Sequence, residues 1–194
     1  MESDFFAYMY RLRYIKRWSL MRNTMNENVA EHSYHVALLT HMLCAIAVNI
    51  FGQSIDGDKA VSMALFHDAT ESFTGDIPTP VKHHNPEMLR SFREIEHIAA
   101  NKLQQMVPDP LKAIYEPLLL HQNADPVLWK YVKAADLLDA YLKCSSELSA
   151  GNHEFGTAKM QSEEALRKLH MPEVDYFLAH LAPSVEKTLD ELSV

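Results

Sequence analysis

Glycine is scarce in this chain, at 5 of 194 residues, and cysteine is scarcer, at two. So few glycines leave little material for the tight turns of an all-β protein. They also exclude a glycine-rich loop of the kind that cradles phosphate on backbone N–H groups. Two cysteines, Cys44 and Cys144, form neither a Cys-x-x-Cys pair nor a disulfide framework. Both lie in apolar helical contexts and read as buried free thiols in a reducing compartment. Long apolar runs are missing too. The most apolar segment, Val36 to Phe51, is broken by Thr40, His41 and Asn49, too short and too polar to cross a bilayer. No basic region followed by an apolar stretch comes after Met1-Glu2-Ser3-Asp4, so no secretory signal is expected and the cytoplasm is. Positive charge is in short supply: 18 basic against 26 acidic residues give a net −8, the wrong sign for long nucleic acids.

What is present is an ordinary globular composition, 47% hydrophobic and 23% charged. A chain of this length buries roughly 70% of its unfolded surface and exposes about 9,400 Å², so it can support a core without crosslinks. One domain over residues 1–194 is expected. Histidine is abundant, at 11. Five basic residues (Arg11, Arg13, Lys16, Arg17, Arg22) cluster without an acidic one between them. That cluster suits one small anion, or else it is a solvated helix end.

Helical periodicity runs through the chain. Ser3 or Asp4 can cap a first helix bearing Phe5, Phe6, Met9 and Leu12. After a connection over 16–27, Asn28 opens a long helix with Val29, Val36, Leu39, Leu43 and Ile46 on one face, ending near Gly52. A third helix runs from about Asp58 through Asp68. Pro78 and Pro80 exclude a helix over 75–80. Asn85-Pro86, Asp109-Pro110 and Asp125-Pro126 each pair an N-cap with proline at the first helical position. The second of these helices is expected to be interrupted by Pro117. Two more helices follow, over 155–169 and 173–192, the last kinked at Pro183. The fold class is all-α, a bundle of about seven or eight helices.

Position makes some of the histidines informative. His67 and Asp68 follow the apolar run Met63-Ala64-Leu65-Phe66 and are expected on its helix, with Glu71 returning to the same face one turn on. His32 lies one turn into the preceding helix. Asp136 sits mid-helix among Ala134, Ala135, Leu137 and Leu138, where a carboxylate is costly unless paired or bound to a cation. Taken singly, each is ordinary: a packed histidine, a salt-bridge aspartate, a chance dipeptide. His35, His41, His97, His153 and His180 are read as packed or surface residues. Together, two imidazoles and two carboxylates from three apolar helical settings make a mixed N/O site for one divalent ion such as Mn, Co, Fe, Ni or Zn.

The pattern His…His-Asp…Asp resembles the HD-domain metal-dependent phosphohydrolases, an all-α superfamily. Over nearly its whole length the chain is similar to the bacterial 5′-deoxynucleotidase branch. The matching stretches include Phe5-Phe6, Arg17-Trp18, Met21-Arg22, Glu27-Asn28-Val29, Glu31-His32-Ser33 and His67-Asp68-Ala69. Further along are 75–82, Tyr141-Leu142-Lys143-Cys144, Ala150-Gly151-Asn152 and Asp175-Tyr176-Phe177. The resemblance implies that His32, His67, Asp68 and Asp136 hold the metal and that Glu71 is the catalytic carboxylate. Arg17 would orient the phosphate. Trp18, His32, Asp136 and the loop Asp76, Ile77, Pro78 and Thr79 would complete the contacts to a 2′-deoxyribonucleoside 5′-monophosphate. It also implies a homodimer. Lys82, His83 and His84 have no assigned role. Residue chemistry is in keeping: Arg17 offers a planar fork to phosphate, Trp18 a flat face, and the prolines a stiff wall able to exclude a sugar hydroxyl.

Four other readings compete. An HD hydrolase of a triphosphate or cyclic dinucleotide would want more cations near the metal than Arg17, Lys82 and Arg22. A di-iron helical oxygenase needs two Glu-x-x-His motifs, and the chain has one, Glu94 to His97. A dinuclear HD site could draw on His83, His84, His97 or His121. A non-catalytic metal- or nucleotide-binding module would have no use for Glu71.

Overall fold

The computed structural model describes residues 2–82 and 84–193; His83, one of the histidines considered as an extra ligand, lies outside the described residues. The described residues form eleven α-helices: α1 (Phe5–Arg11), α2 (Val29–Asn49), α3 (Gly57–Leu65), α4 (Glu71–Thr74), α5 (Thr79–Lys82), α6 (Pro86–Met106), α7 (Lys112–Leu119), α8 (Pro126–Ser149), α9 (Gly156–Lys168), α10 (Pro172–His180) and α11 (Leu189–Leu192). Eight of these have seven or more residues, and α4, α5 and α11 are single turns. Among the described residues the sole β pairing is an isolated bridge between Lys16 and Asn28. None of their helices is long and apolar enough to cross a membrane.

The helix starts follow their caps. Asn28 and Glu31 form a reciprocal capping box, Glu31 N–H donating to Asn28 Oδ1 (3.0 Å) and Asn28 N–H to Glu31 Oε2 (3.1 Å). That box fixes where α2 begins, and so places His32 one turn in. Asp125 accepts from Val127 N–H and opens α8 with Pro126 at its first position. Asn85 does the same for α6 through Met88 N–H.

Two apolar clusters organise the packing. The larger joins α2, α3, α8 and α10 through residues such as Leu43, Met63, Leu138, Met171 and Phe177. The smaller joins α1, α6 and α7 through Phe5, Leu103, Val107 and Leu119, and it includes Ala69. Met63 and Ala64 belong to the first, while Ala69 and the partly buried Phe66 belong to the second. His67 and Asp68 therefore stand where the two clusters meet.

The structure corrects four expectations. α3 stops at Leu65, so His67 and Asp68 lie on a turn between α3 and α4 rather than on a helix. The cause is local: Phe66 and His67 N–H close short turns onto Met63 and Ala64 carbonyls, tightening the chain out of α geometry. Thr79 and Pro80 are helical, opening α5, because a proline in a first turn gives up an N–H that would have no partner there. Pro117 does not interrupt α7, which runs two residues past it to Leu119. The C-terminal helix is broken, not kinked, at Pro183: α10 ends at His180 and a 3₁₀ turn, Ala182–Glu186, follows. Cys44 and Cys144 are buried and free, as expected.

Candidate metal and substrate site

α2, the α3–α4 turn and α8 bring His32, His67, Asp68 and Asp136 together. His32 Nε2 lies 3.2 Å from His67 Nε2, 3.4 Å from Asp68 Oδ2 and 3.3 Å from Asp136 Oδ1. His67 Nε2 lies 3.2 Å from Asp68 Oδ2. His32, His67 and Asp68 form a mutually close donor group, which Asp136 joins through His32. Both imidazoles are buried.

The outer ring nitrogens decide what the inner ones can do. His67 Nδ1 donates to the Ala64 carbonyl (2.8 Å), so its Nε2 presents a lone pair. His32 Nδ1 lies 2.6 Å from Asp139 Oδ2, which orients that ring in the same way. Two lone pairs and two carboxylates then face one another. A divalent ion resolves that convergence, and four ligands at 2.0–2.1 Å in a tetrahedron stand about 3.3 Å apart. The donor set fits a metal. Burial by itself would push the Asp68 and Asp136 carboxyls up, but the facing imidazoles hold both below the usual range. Burial and Arg17 oppose protonation of His32, yet its bonds to Asp136, Asp139 and Asp68 hold its pKa well above the ordinary value, so an ion binding there would displace a proton from Nε2 to gain the lone pair.

Arg17 is the one inward-drawn member of the basic cluster; Arg11, Arg13, Lys16 and Arg22 are exposed. Its Nη1 donates to Glu27 Oε1 (3.0 Å) and Asp139 Oδ2 (3.4 Å), while Trp18 Nε1 donates to Glu27 Oε2 (3.1 Å). Glu27, His35 and Asp139 form a second group of possible metal donors. The guanidinium already bonds both carboxylates, so Arg17 serves as the cation there. The segment Arg17 to Glu27 is a loop closed at its neck by the Lys16–Asn28 bridge. Trp18 takes a left-handed backbone (φ 54°), costly for an aromatic residue, and its carbonyl accepts from both Met21 N–H and Asn23 Nδ2 (3.0 Å each).

Glu71 begins α4 directly beyond the ligand turn. Its Oε2 is buried without a hydrogen-bond partner among the described residues. Burial, then the charges of Asp68 and Asp76, push its carboxyl up to about 9, against the pull of Arg17 and Lys82. Gly75 (φ 70°) then turns the chain out of α4 into the loop of Asp76, Ile77 and Pro78, all half-buried, with Thr79 exposed at its end. Burial also raises the Asp76 carboxyl, which senses Arg17, Asp68 and the Trp18 backbone N–H. A cavity of about 590 Å³ opens beside His67, Asp68 and Glu71, with Lys82, Arg93 and Lys133 on its walls. His97 and His121 line it, and neither joins a metal-donor group among the described residues. His84, like His35, His41, His153 and His180, is exposed.

Sequence reasoning missed Glu27 and Asp139. Asp139 had a signal: it follows Asp136 by three residues, on the same face of α8. Glu27 had only its place beside the cap of α2.

This arrangement, a helical bundle holding a His, His-Asp, Asp constellation, is that of the HD-domain phosphohydrolases. One of them, from Listeria innocua, superposes with a TM-score of 0.82 at 25% identity, covering 98% of this chain and 92% of its own. A cyanophage S-2L HD phosphohydrolase bound to dA and one catalytic Zn²⁺ superposes with a TM-score of 0.64 at 26% identity, over 94% of this chain and 96% of its own. The profile of the YfbR-like 5′-deoxynucleotidases matches residues 4–185, and the chain belongs to that family. A 5′-deoxynucleotidase of Vibrio cholerae is 44% identical over 99% of both chains. One of Klebsiella pneumoniae is 46% identical over 99% of this chain and 96% of its own.

Proposed function

We propose that the protein is a metal-dependent 5′-deoxynucleotidase, hydrolysing 2′-deoxyribonucleoside 5′-monophosphates to deoxynucleoside and phosphate. One observation carries the reading: the His32, His67, Asp68 and Asp136 donors converge within reach of the charge of Arg17 and of Glu71, whose Oε2 is unpartnered among the described residues. Relatives named 5′-deoxynucleotidase supply the substrate class.

His32, His67, Asp68 and Asp136 would hold one divalent ion (Co, Mn, Zn, Ni or Fe). Such an ion lowers the pKa of bound water to roughly 7 and neutralises phosphate charge. The remaining roles belong to the chain. Arg17, held in place by Glu27 and Asp139, presents its fork to the phosphate oxygens. Trp18 packs against the nucleoside, with His32 and Asp136 also in reach of the substrate. Asp76 accepts a hydrogen bond from the sugar, and Ile77, Pro78 and Thr79 wall off the 2′ position. Water oxygen bonds to phosphorus, the P–O5′ bond breaks, and Glu71 gives its proton to the departing 5′-oxygen; one water proton stays on the phosphate and the other leaves to solvent, from which Glu71 is reprotonated.

Phosphate release from a panel of ribo- and deoxyribonucleoside monophosphates, each with several divalent ions, tests this directly. The deoxy substrates should turn over at least about 10-fold faster, the worth of one well-placed contact, and chelation should abolish release. Equal rates on ribonucleotides would remove the sugar selectivity, and no release from any substrate would remove the function.

Asp139 supports the ligand set from behind. Its bond to His32 Nδ1 fixes the ring that faces the metal. Asp139→Asn should weaken metal binding by about 10- to 100-fold in a chelator competition. An unchanged affinity would show that His32 needs no carboxylate behind it.

The whole chain is read as one domain, in a cytoplasmic homodimer. Support for a partner copy comes from the surface: 11565 Å² is exposed, well above the roughly 9,400 Å² expected for this mass. On α2, Tyr34, Leu38 and Met42 recur at helical spacing with their side chains in solvent.

A further inference from the structure

Two of the stretches that resemble the 5′-deoxynucleotidases, around Lys143 and around Asn152, supply none of the His32, His67, Asp68 and Asp136 donors and none of the lining of the cavity beside Glu71. Both converge on Glu147, a fully buried carboxylate near the end of α8. Its Oε2 accepts from Thr24 N–H (2.9 Å), Thr24 Oγ1 (2.7 Å) and Asn152 Nδ2 (2.9 Å). Its Oε1 accepts from Met25 N–H (3.3 Å) and from Lys143 Nζ. Lys143 Nζ also donates to the Met25 carbonyl (2.6 Å), and Asn152 Nδ2 to the Arg22 carbonyl (2.7 Å). Thr24, Met25 and Arg22 all belong to the loop that carries Arg17 and Trp18.

Beside this network the loop is held by the Arg17 bonds to Glu27 and Asp139 and by Arg22, whose backbone N–H and guanidinium donate to the half-exposed Glu154. The loop's neck is a single bridge, Leu20 and Met25 are exposed, and Trp18 sits in a left-handed conformation that needs outside support. The Trp18 ring rests on the buried Phe155 (centroids 5.4 Å apart), and the Lys143 ammonium lies 5.6 Å from the centre of that same Phe155 ring. A buried carboxylate with five donors, one of them a lysine, is an expensive arrangement to maintain. Here it fastens a polar loop that could not fasten itself by burial.

We infer that Glu147 is a positioning residue for substrate binding: with Lys143 and Asn152 it clamps the 17–27 loop and so sets where Arg17 and Trp18 meet the nucleotide. The inference rests on the reading of those two residues as substrate contacts. It assigns the Lys143 and Asn152 stretches a purpose that metal and proton chemistry leave open.

Glu147→Gln keeps the shape but turns an amide N–H₂ toward donors. In that variant KM for 2′-deoxyadenosine 5′-monophosphate should rise about 10-fold, the worth of one charge-assisted hydrogen bond. The value of kcat should change less than about 3-fold, and metal content should stay at the wild-type level. A Trp129→Phe background leaves Trp18 as the sole tryptophan, and there acrylamide quenching of Trp18 should increase. A folded Glu147→Gln protein with unchanged KM, unchanged quenching, or a loss confined to kcat overturns the clamp. If that variant fails to fold, Thr24→Val and Asn152→Ala each remove one arm. Both should raise KM and quenching in the same direction by a smaller factor, and no change in either overturns the proposal. Were the wild-type protein to release no phosphate from any mononucleotide, the proposed function would fail, while Trp18 quenching would still judge the clamp.

Discussion

Glu71→Gln should fold, keep its metal and lose nearly all turnover, with kcat down by about 10²- to 10⁴-fold. The substitution preserves volume and leaves an N–H donor in the cavity, but an amide cannot release a proton to an alkoxide. Glu71 is no metal donor in the geometry, since it begins α4 one residue past the turn that carries His67 and Asp68. Metal content per chain should therefore match the wild type, separating a proton carrier from a ligand. The outcome also judges the non-catalytic alternative. A module that uses its metal for stability or sensing would bind nucleotide equally well with either residue and would show no turnover to lose. Retained activity in Glu71→Gln would take this residue out of the mechanism.

Asp68→Ala should behave differently, losing metal and activity together. Its Oδ2 lies 3.4 Å from His32 Nε2 and 3.2 Å from His67 Nε2, and among the described residues it is the one carboxylate within 4 Å of both imidazoles. Removing it leaves two lone pairs facing each other with only Asp136 to balance an ion. Affinity should fall by more than the 10- to 100-fold expected of an outer partner such as Asp139. Metal analysis after gel filtration should find the variant empty, with activity returning only at metal concentrations far above those the wild type needs. A full metal complement after the same treatment would contradict the ligand assignment. The two variants form a pair: one keeps the ion and loses the chemistry, the other loses both.

The fold was legible where helices declare their own starts. Asn28, Asn85 and Asp125 cap α2, α6 and α8 as their sequences promise, because an N-cap and its proline act through neighbours a few residues away. The turn at His67-Asp68 was not legible. Its residues read as helix by periodicity, and the short turns that Phe66 and His67 N–H close onto the Met63 and Ala64 carbonyls have no residue type that announces them. The candidate site divides in the same way. Its inner donors could be named because two histidines and two aspartates in apolar settings are costly without a cation. Glu27 and Asp139 escaped because acidic residues beside a cap or on a helix have ordinary explanations. Their partner Arg17 lies far off in sequence and near only in space. Of the five clustered basic residues, composition could not say which one turns inward; Glu27 and Asp139 decide it.

The meeting of the two apolar clusters has a mechanical consequence. An ion held by His32, His67, Asp68 and Asp136 would tie the start of α2 and the middle of α8 to the very turn where those clusters touch. It would act as a reversible crosslink in a chain whose two thiols never form a permanent one. Any ligand that binds the folded state alone stabilises it, by about 2.7 kcal/mol at a hundredfold excess over its dissociation constant. Metal supply would then set how firmly the halves of the molecule are joined as well as how fast it turns over.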